Sequence, residues 1–188
     1  QRKVYEREKS AARNYLLENF DTGNAKYRIM VVQTLTKLRQ LVNHPNLVDP
    51  TYEKGSGKFQ DIMEQWDTIR RSGHKVLLFS SFVKHLQLFR QEFDERESAY
   101  SWLSGDLSAN KRKQTIKRFQ EDPDVQSFLI SIKTGGTGLN LTAADYVFIL
   151  AVNKPRRPRL PTQLGRSSHN SDKIVTIRRD RLTCLLSA

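Results

Sequence analysis

The sequence predicts an α/β domain built on a mostly parallel sheet with helices on both faces. Three observations predict it. Short apolar runs that read as buried strands lie within residues 75–81 and at 128–132 and 146–150. Amphipathic stretches of helical period alternate with them. A glycine loop follows the 128–132 run at the place where an α/β strand hands over to its crossover.

Residues 1–55 read as a helical lead-in. Positions 1–19 are charged, and Val4, Tyr5, Ala11, Ala12, Tyr15 and Leu16 give a loose apolar face. Asp21-Thr22-Gly23-Asn24 interrupts the pattern. Over 26–43 the apolar residues Ile29, Val32, Leu35, Leu38 and Val42 recur at three and four, as on one face of a helix. His44-Pro45-Asn46 ends it, because proline disfavours helical geometry in the residue before it and asparagine forms turns.

Residues 56–150 read as the main lobe. Ser56-Gly57-Lys58 opens a helix with Phe59, Ile62, Met63, Trp66 and Ile69 on one side, a core stripe that Gly73 closes. Lys75 to Ser81 is a buried strand, followed by an amphipathic helix over 83–94. Tyr100-Ser101-Trp102-Leu103 is a short strand. Ser104-Gly105-Asp106 turns it into a helix over 109–120 that carries Ile116 and Phe119. Strands at 128–132 and 146–150 complete the lobe. There is no internal repeat.

Residues 151–188 differ in character and read as a basic tail. The interval 151–171 has three prolines and little periodicity, and reads as loop or disorder. Lys173-Ile174-Val175-Thr176-Ile177 is strand-like again.

The composition narrows the function. The 188 residues carry a formal charge of +12, with a sequence pI near 10.0 and 37% hydrophobic residues, enough for one core. The tail holds nine Lys/Arg against Asp172 and Asp180. Such an excess points to a polyanionic partner, nucleic acid before membrane. The single cysteine, Cys184, rules out an internal disulfide or a Cys-rich zinc site and suits a reducing compartment. Apolar runs fall far short of the roughly 18 residues of a membrane span, and the first residues are not a signal peptide. A chain beginning with Gln is expected to be a fragment.

The candidate site lies at three strand exits: Ser80-Ser81, Ser104-Gly105-Asp106, and Lys133-Thr134-Gly135-Gly136-Thr137-Gly138. In a parallel sheet such exits share one edge, where ligands bind. Their hydroxyls and backbone N–H groups suit phosphate oxygens. The alternatives are local: Ser80 and Ser104 as helix caps, and the glycine loop as a tight turn. The loop matches neither the dinucleotide fingerprint nor the Walker A loop.

Taken in order, these segments resemble the C-terminal RecA-like lobe of Swi/Snf-type superfamily 2 helicase-like DNA translocases. Leu38 to Pro45, Ser56 to Phe59, Lys75 to Phe82, Tyr100 to Gly105 with Arg112, Ile116 and Phe119, and Phe128 to Leu141 with Ala143-Ala144-Asp145 carry the resemblance. It implies a two-lobe motor that closes on ATP and Mg²⁺ and ratchets along one strand of duplex DNA, remodelling chromatin or another nucleoprotein. This chain has neither the P-loop nor the acidic metal-binding motif of the N-terminal lobe. ATP and Mg²⁺ are therefore expected only with that lobe, and the isolated chain is expected to be inactive. The partners implied are double-stranded DNA and the N-terminal lobe, with no membrane. The location implied is the nucleoid in a bacterium or the nucleus in a eukaryote.

By motif position, Ser80, Ser81, Lys133, Thr134 and Gly135 are the DNA-phosphate candidates, and Gly138, Leu139 and Asn140 the nucleotide-facing ones. The family's arginine-finger block is not matched. Its finger positions fall on Gly165 and Ser168, with Arg166 one residue from the first, so 151–171 reads as a degenerate or frame-shifted version of that block. A non-enzymatic nucleic-acid-binding module with a lost active site is the rival expectation. An unrelated α/β enzyme has no paired carboxylates, His/Cys cluster or Gly-x-Ser-x-Gly elbow to support it.

Overall fold

The computed structural model describes residues 1–20, 25–135, 139 and 141–151, and the backbone of 175–178. The chain divides into two compact units, Gln1–Gln65 and Trp66–Ala188.

In the first unit, helices α1 (Arg2–Glu18) and α2 (Ala25–Asn43) pack as a pair. Lys37 reaches Glu8 at 2.6 Å, and this bond holds the Glu8 carboxyl below the usual carboxylate range. Gln1 Nε2 donates to the carbonyls of Leu41 (3.1 Å) and Val42 (2.7 Å), which as helix-end acceptors have no partner further along α2. A 3₁₀ turn, Pro45–Leu47, ends the segment at the expected His-Pro. His44 Nδ1 accepts from the Asn46 N–H at 3.2 Å, and burial keeps the His44 pKa below its ordinary value.

The apolar periodicity of α1 and α2 does not translate into a core. No residue of α1 is buried, and Tyr15, Ile29, Val32 and Leu35 are all exposed. Periodicity marks a face but not what covers it, and each helix of the pair can cover only one side of the other. The buried apolar residue of α2 is Leu41.

Helix α3 (Gly57–Arg71) buries Ile62, Met63, Trp66 and Ile69, as the stripe predicts. It ends in a Schellman motif. Gly73 adopts φ +77°, its N–H bonds the Arg70 carbonyl, and the His74 N–H bonds the Ile69 carbonyl.

The second unit holds the sheet. Strands β1 (Val76–Ser80), β2 (Tyr100–Leu103), β3 (Ser127–Ser131), β4 (Tyr146–Ala151) and β5 (Val175–Arg178) lie in the order β2-β3-β1-β4-β5. The first four are mutually parallel, and β5 pairs antiparallel with β4. Helices α4 (Val83–Glu95) and α5 (Ala109–Glu121) lie on opposite faces. On one face Phe93 of α4 stacks on Trp66 with centroids 4.5 Å apart, and the Trp66 indole N–H donates to Ser127 Oγ at 2.7 Å. On the other, Phe119 of α5 meets Phe128 at 5.0 Å within a cluster that includes Leu77, Leu103, Ile130 and Val147. Every residue of β3 is buried, which is why its sequence reads as an unbroken apolar run rather than an alternation.

Candidate nucleic-acid interface

Parallel register brings the strand exits together. Ser80 at the end of β1 lies opposite Ser131 of β3 and Ala151 of β4, and Leu103 at the end of β2 lies opposite Ile130. The expected single edge is therefore present.

The side chains along it differ. Ser80 is fully buried, and its hydroxyl oxygen accepts from the Phe82 N–H at 3.1 Å. That bond turns the chain out of β1. The N-cap residue of α4 is Phe82, with no side-chain cap, so Ser80 is a turn former rather than a cap or a surface hydroxyl. Ser81 is half-buried. Its N–H (2.9 Å) and its hydroxyl (3.1 Å) both donate to the Ala151 carbonyl, which ties the exits of β1 and β4.

At the β2 exit, Ser104 accepts from the Trp102 indole N–H at 2.8 Å and donates to Asp106. The Ser104 bond, followed by a backbone N–H, holds the exposed Asp106 carboxyl below its usual range. The cap expected at Ser104 is instead at Ser108, whose hydroxyl accepts from the Lys111 N–H at 3.4 Å. The β3 exit is a single helical turn, α6 (Ile132–Gly135), with Lys133 exposed and Thr134 half-buried. A Cβ at Gly105 would sit 3.7 Å from Thr134 Oγ1, so the exits of β2 and β3 adjoin. Of the nucleotide-facing candidates, Leu139 packs against the core cluster, while Gly138 and Asn140 lie outside the described residues, as do Gly165, Arg166 and Ser168.

Among the described residues the histidines do not form a site. His74 Nδ1 pairs with Asp145 at 3.1 Å, beside the starts of β1 and β4. His85 is fully buried and edge-on to Phe89. The period of α4 puts it on the same face as Leu86, Phe89 and Phe93. Among the described residues no group of His, Cys, Asp and Glu could hold a metal ion, and no helix is long and apolar enough to cross a membrane.

Sequence reasoning placed most of the charge in the tail and passed over three exposed lysines beside the exits. These are Lys84 in the first turn of α4, and Lys111 and Lys113 near the start of α5. The signal that could have found them is a helix start without a single acid.

Residues 57–168 match the model of the helicase conserved C-terminal domain. The chain is 36% identical over 125 residues to the lymphoid-specific helicase of Homo sapiens, covering 60% of this chain and 15% of that protein. It is 31% identical over 176 residues to the chromodomain-helicase-DNA-binding protein 1-like of Mus musculus, covering 88% of this chain and 19% of that protein. The chain thus spans less than a fifth of either relative. Among solved structures it is similar to the Sulfolobus solfataricus SWI2/SNF2 ATPase C-terminal domain, with TM-score 0.68, 31% identity, and 77% of this chain and 63% of that one covered. It is also similar to the Sulfolobus solfataricus SWI2/SNF2 ATPase core in complex with dsDNA, with TM-score 0.69, 29% identity, and 78% and 31% covered.

Proposed function

This chain belongs to the helicase conserved C-terminal domain family, in its Swi2/Snf2 branch, and on that premise we propose that it is the C-terminal motor lobe of an ATP-dependent DNA translocase that remodels a nucleoprotein. The observation that carries the reading is the convergence of three parallel strand exits on one edge. Phosphate contacts there would hold a strand in place without reading its sequence, as translocation requires. The similar core solved with dsDNA supports duplex DNA as the partner.

The candidate roles divide by accessibility. Lys133, Thr134 and the Gly135 backbone present a cation, a hydroxyl and an N–H at the β3 exit. The Ser81 hydroxyl can rotate from the Ala151 carbonyl to a phosphate oxygen. Ser80 sets the turn that places Ser81. Gly138 and Asn140 are proposed for the nucleotide-facing edge, with Leu139 anchoring that loop in the core. ATP and Mg²⁺ would supply the phosphoryl group and its charge neutralisation once an N-terminal lobe contributes the P-loop. This chain contributes backbone and side-chain positioning.

Gly165 and Ser168 at the expected finger positions favour a second reading, a binding module that has lost catalysis, because neither side chain can stabilise charge on a transferring phosphoryl group. Joining the chain to an N-terminal lobe from a related motor and measuring single-turnover ATP hydrolysis separates the two. DNA-stimulated turnover supports the motor, and its absence supports the binding module.

The reading common to both is tested by duplex binding. The chain should bind random-sequence duplex weakly, without sequence preference, and with log K falling against log salt by about 0.9 per phosphate contacted. Lys133→Ala with Thr134→Val should weaken it. A flat salt response, or unchanged affinity in that variant, would count against the edge as a phosphate track.

A further inference from the structure

Strand β2 is the outermost strand on one side of the sheet, with β3 as its neighbour among the described residues. A strand directs its N–H and C=O groups to both sides, so alternate residues of Tyr100–Leu103 present theirs away from β3. Among the described residues nothing outside the ladder with β3 bonds these groups. Outermost strands are commonly blunted by a charged residue, a proline or a bulge. On the far side of the sheet, β5 carries Arg178 and is flanked in sequence by Lys173 and Arg179. Strand β2 reads Tyr-Ser-Trp-Leu, with none of these, and keeps an unbroken register with β3.

A cavity of about 630 Å³ lies along this open side, within the range of about 300–1,000 Å³ that holds ligands. Both helix layers line it. On the α4 face, Tyr100 meets Phe93 with centroids 6.0 Å apart and its hydroxyl donates to Asp94 at 2.8 Å, while Arg90 lies 5.8 Å from the Trp102 ring. On the α5 face, Ser101 donates to the Thr115 carbonyl at 3.3 Å, and Leu107 completes the wall. The cavity is therefore a slot over the open backbone of β2, walled by α4 on one side and α5 on the other. It has room for one extended chain but not for the helix layers of a second copy. Where β2 begins, the buried Ser98 hydroxyl has no hydrogen-bond partner among the described residues, an unusual state for a buried polar atom. The charged groups of the lining balance, Arg90 and Arg118 against Asp94 and Glu97. Arg90 lies 3.8 Å from Asp94, and Arg118 3.8 Å from Asp122. A slot without net charge takes an uncharged segment ahead of a basic or acidic one.

We propose that β2 accepts an extended, uncharged peptide segment of a partner protein as an added outer strand of the sheet. Main-chain hydrogen bonds to the outward groups of β2 set the register, and alternate side chains meet the two walls. Beside Tyr100 and Trp102 the slot suits β-branched apolar residues, since aromatic and β-branched side chains pair well across strands. Beside Ser101 and Thr115 it suits small ones. The incoming main chain supplies a partner for Ser98. A ladder of four residues is short, so the contact is a weak and reversible one. The slot lies along the side of the sheet rather than at the strand exits, so the proposal stands apart from the DNA reading.

The test follows amide hydrogen exchange of the 188-residue chain with the peptide acetyl-Thr-Val-Thr-Val-Thr-amide. Tyr100–Leu103 should gain protection, and β5 should not. The same peptide methylated at every backbone nitrogen keeps its side chains but donates no main-chain hydrogen bond, and should give no protection. A version with lysine in place of valine should bind more weakly than the parent peptide. Thr115→Trp, which fills the slot from α5, should lose the protection at an unchanged Tm. Equal protection by the methylated peptide, tighter binding of the lysine peptide, or protection retained in folded Thr115→Trp would overturn the proposal. So would a parent peptide that gives no protection up to its solubility limit. Protection of Tyr100–Leu103 that appears without peptide as the chain is concentrated would assign the slot to a second copy and overturn it as well.

Discussion

The two edges of the sheet use polar groups in opposite ways. At the edge where strands begin, polar groups satisfy one another. Lys75 Nζ donates to the carbonyls of Phe119 (2.6 Å) and Asp122 (2.7 Å) at the end of α5, and lies 5.2 Å from the Phe119 ring. Desolvation keeps the Lys75 pKa below its ordinary value. Asp145 receives the His74 ring and the Lys75 N–H. At the edge where strands end, Lys84, Lys111 and Lys113 make no ion pair among the described residues, and the Ser81 hydroxyl donates to a carbonyl that already accepts the Ser81 N–H. The first pattern fastens the fold, whereas the second leaves binding capacity unused. A charged residue in this chain is therefore read by which edge it occupies rather than by its charge.

The largest expected effect falls on the fastening edge. Lys75→Met removes two charge-assisted hydrogen bonds, one to the Phe119 carbonyl and one to the Asp122 carbonyl, which keeps the Val125 N–H at 3.3 Å, and should destabilise the chain by about 3 kcal/mol in urea unfolding. The salt slope of duplex binding should not change. If it falls, the edges are not functionally distinct.

Glu97 provides a smaller test at the same edge. It adopts φ 52° at the end of α4, in the position that Gly73 takes after α3, with the Ser98 N–H bonded to the Phe93 carbonyl. Glu97→Gly should stabilise by about 1 kcal/mol, because glycine avoids the left-handed penalty. A loss of stability would mean that the Glu97 side chain does more than tolerate the turn.

On the binding edge, Lys84→Glu should raise stability by about 0.3–1 kcal/mol while weakening DNA binding. Asp106→Asn should have the smallest effect, and on binding alone. Affinity for duplex should tighten, within about threefold, because the acid described at that edge is neutralised, while stability stays nearly constant. Equal affinity in parent and variant would place Asp106 outside the field of the bound strand.

The sequence carried the sheet more fully than the lead-in. Each apolar run of the main lobe became a strand, because burial on both faces removes the polar alternation, and Gly73 stands where a Schellman motif needs it. The strand expected at 173–177 is β5 at 175–178, but its antiparallel sense could not be read from five residues. Ile29, Val32 and Leu35 have helical spacing with nothing over them, since a one-dimensional pattern cannot report the second surface. His85 is buried because the phase of α4 sets it on the face of Leu86, Phe89 and Phe93, which its residue type alone does not indicate. At the site, the shared edge followed from topology alone. The buried state of Ser80, the cap at Ser108 and the lack of an ion pair to Lys84, Lys111 and Lys113 among the described residues depend on side-chain geometry that no motif encodes.

The central claim is that duplex DNA meets the edge where the parallel strands end. Backbone hydrogen–deuterium exchange of the chain, with and without saturating random-sequence duplex at low salt, tests it most directly. The account predicts protection confined to peptides covering 81–84, 104–113 and 132–135, with no change over 67–75, 95–99 and 121–126. Protection at the latter peptides, or none at the former under saturating duplex, would contradict it.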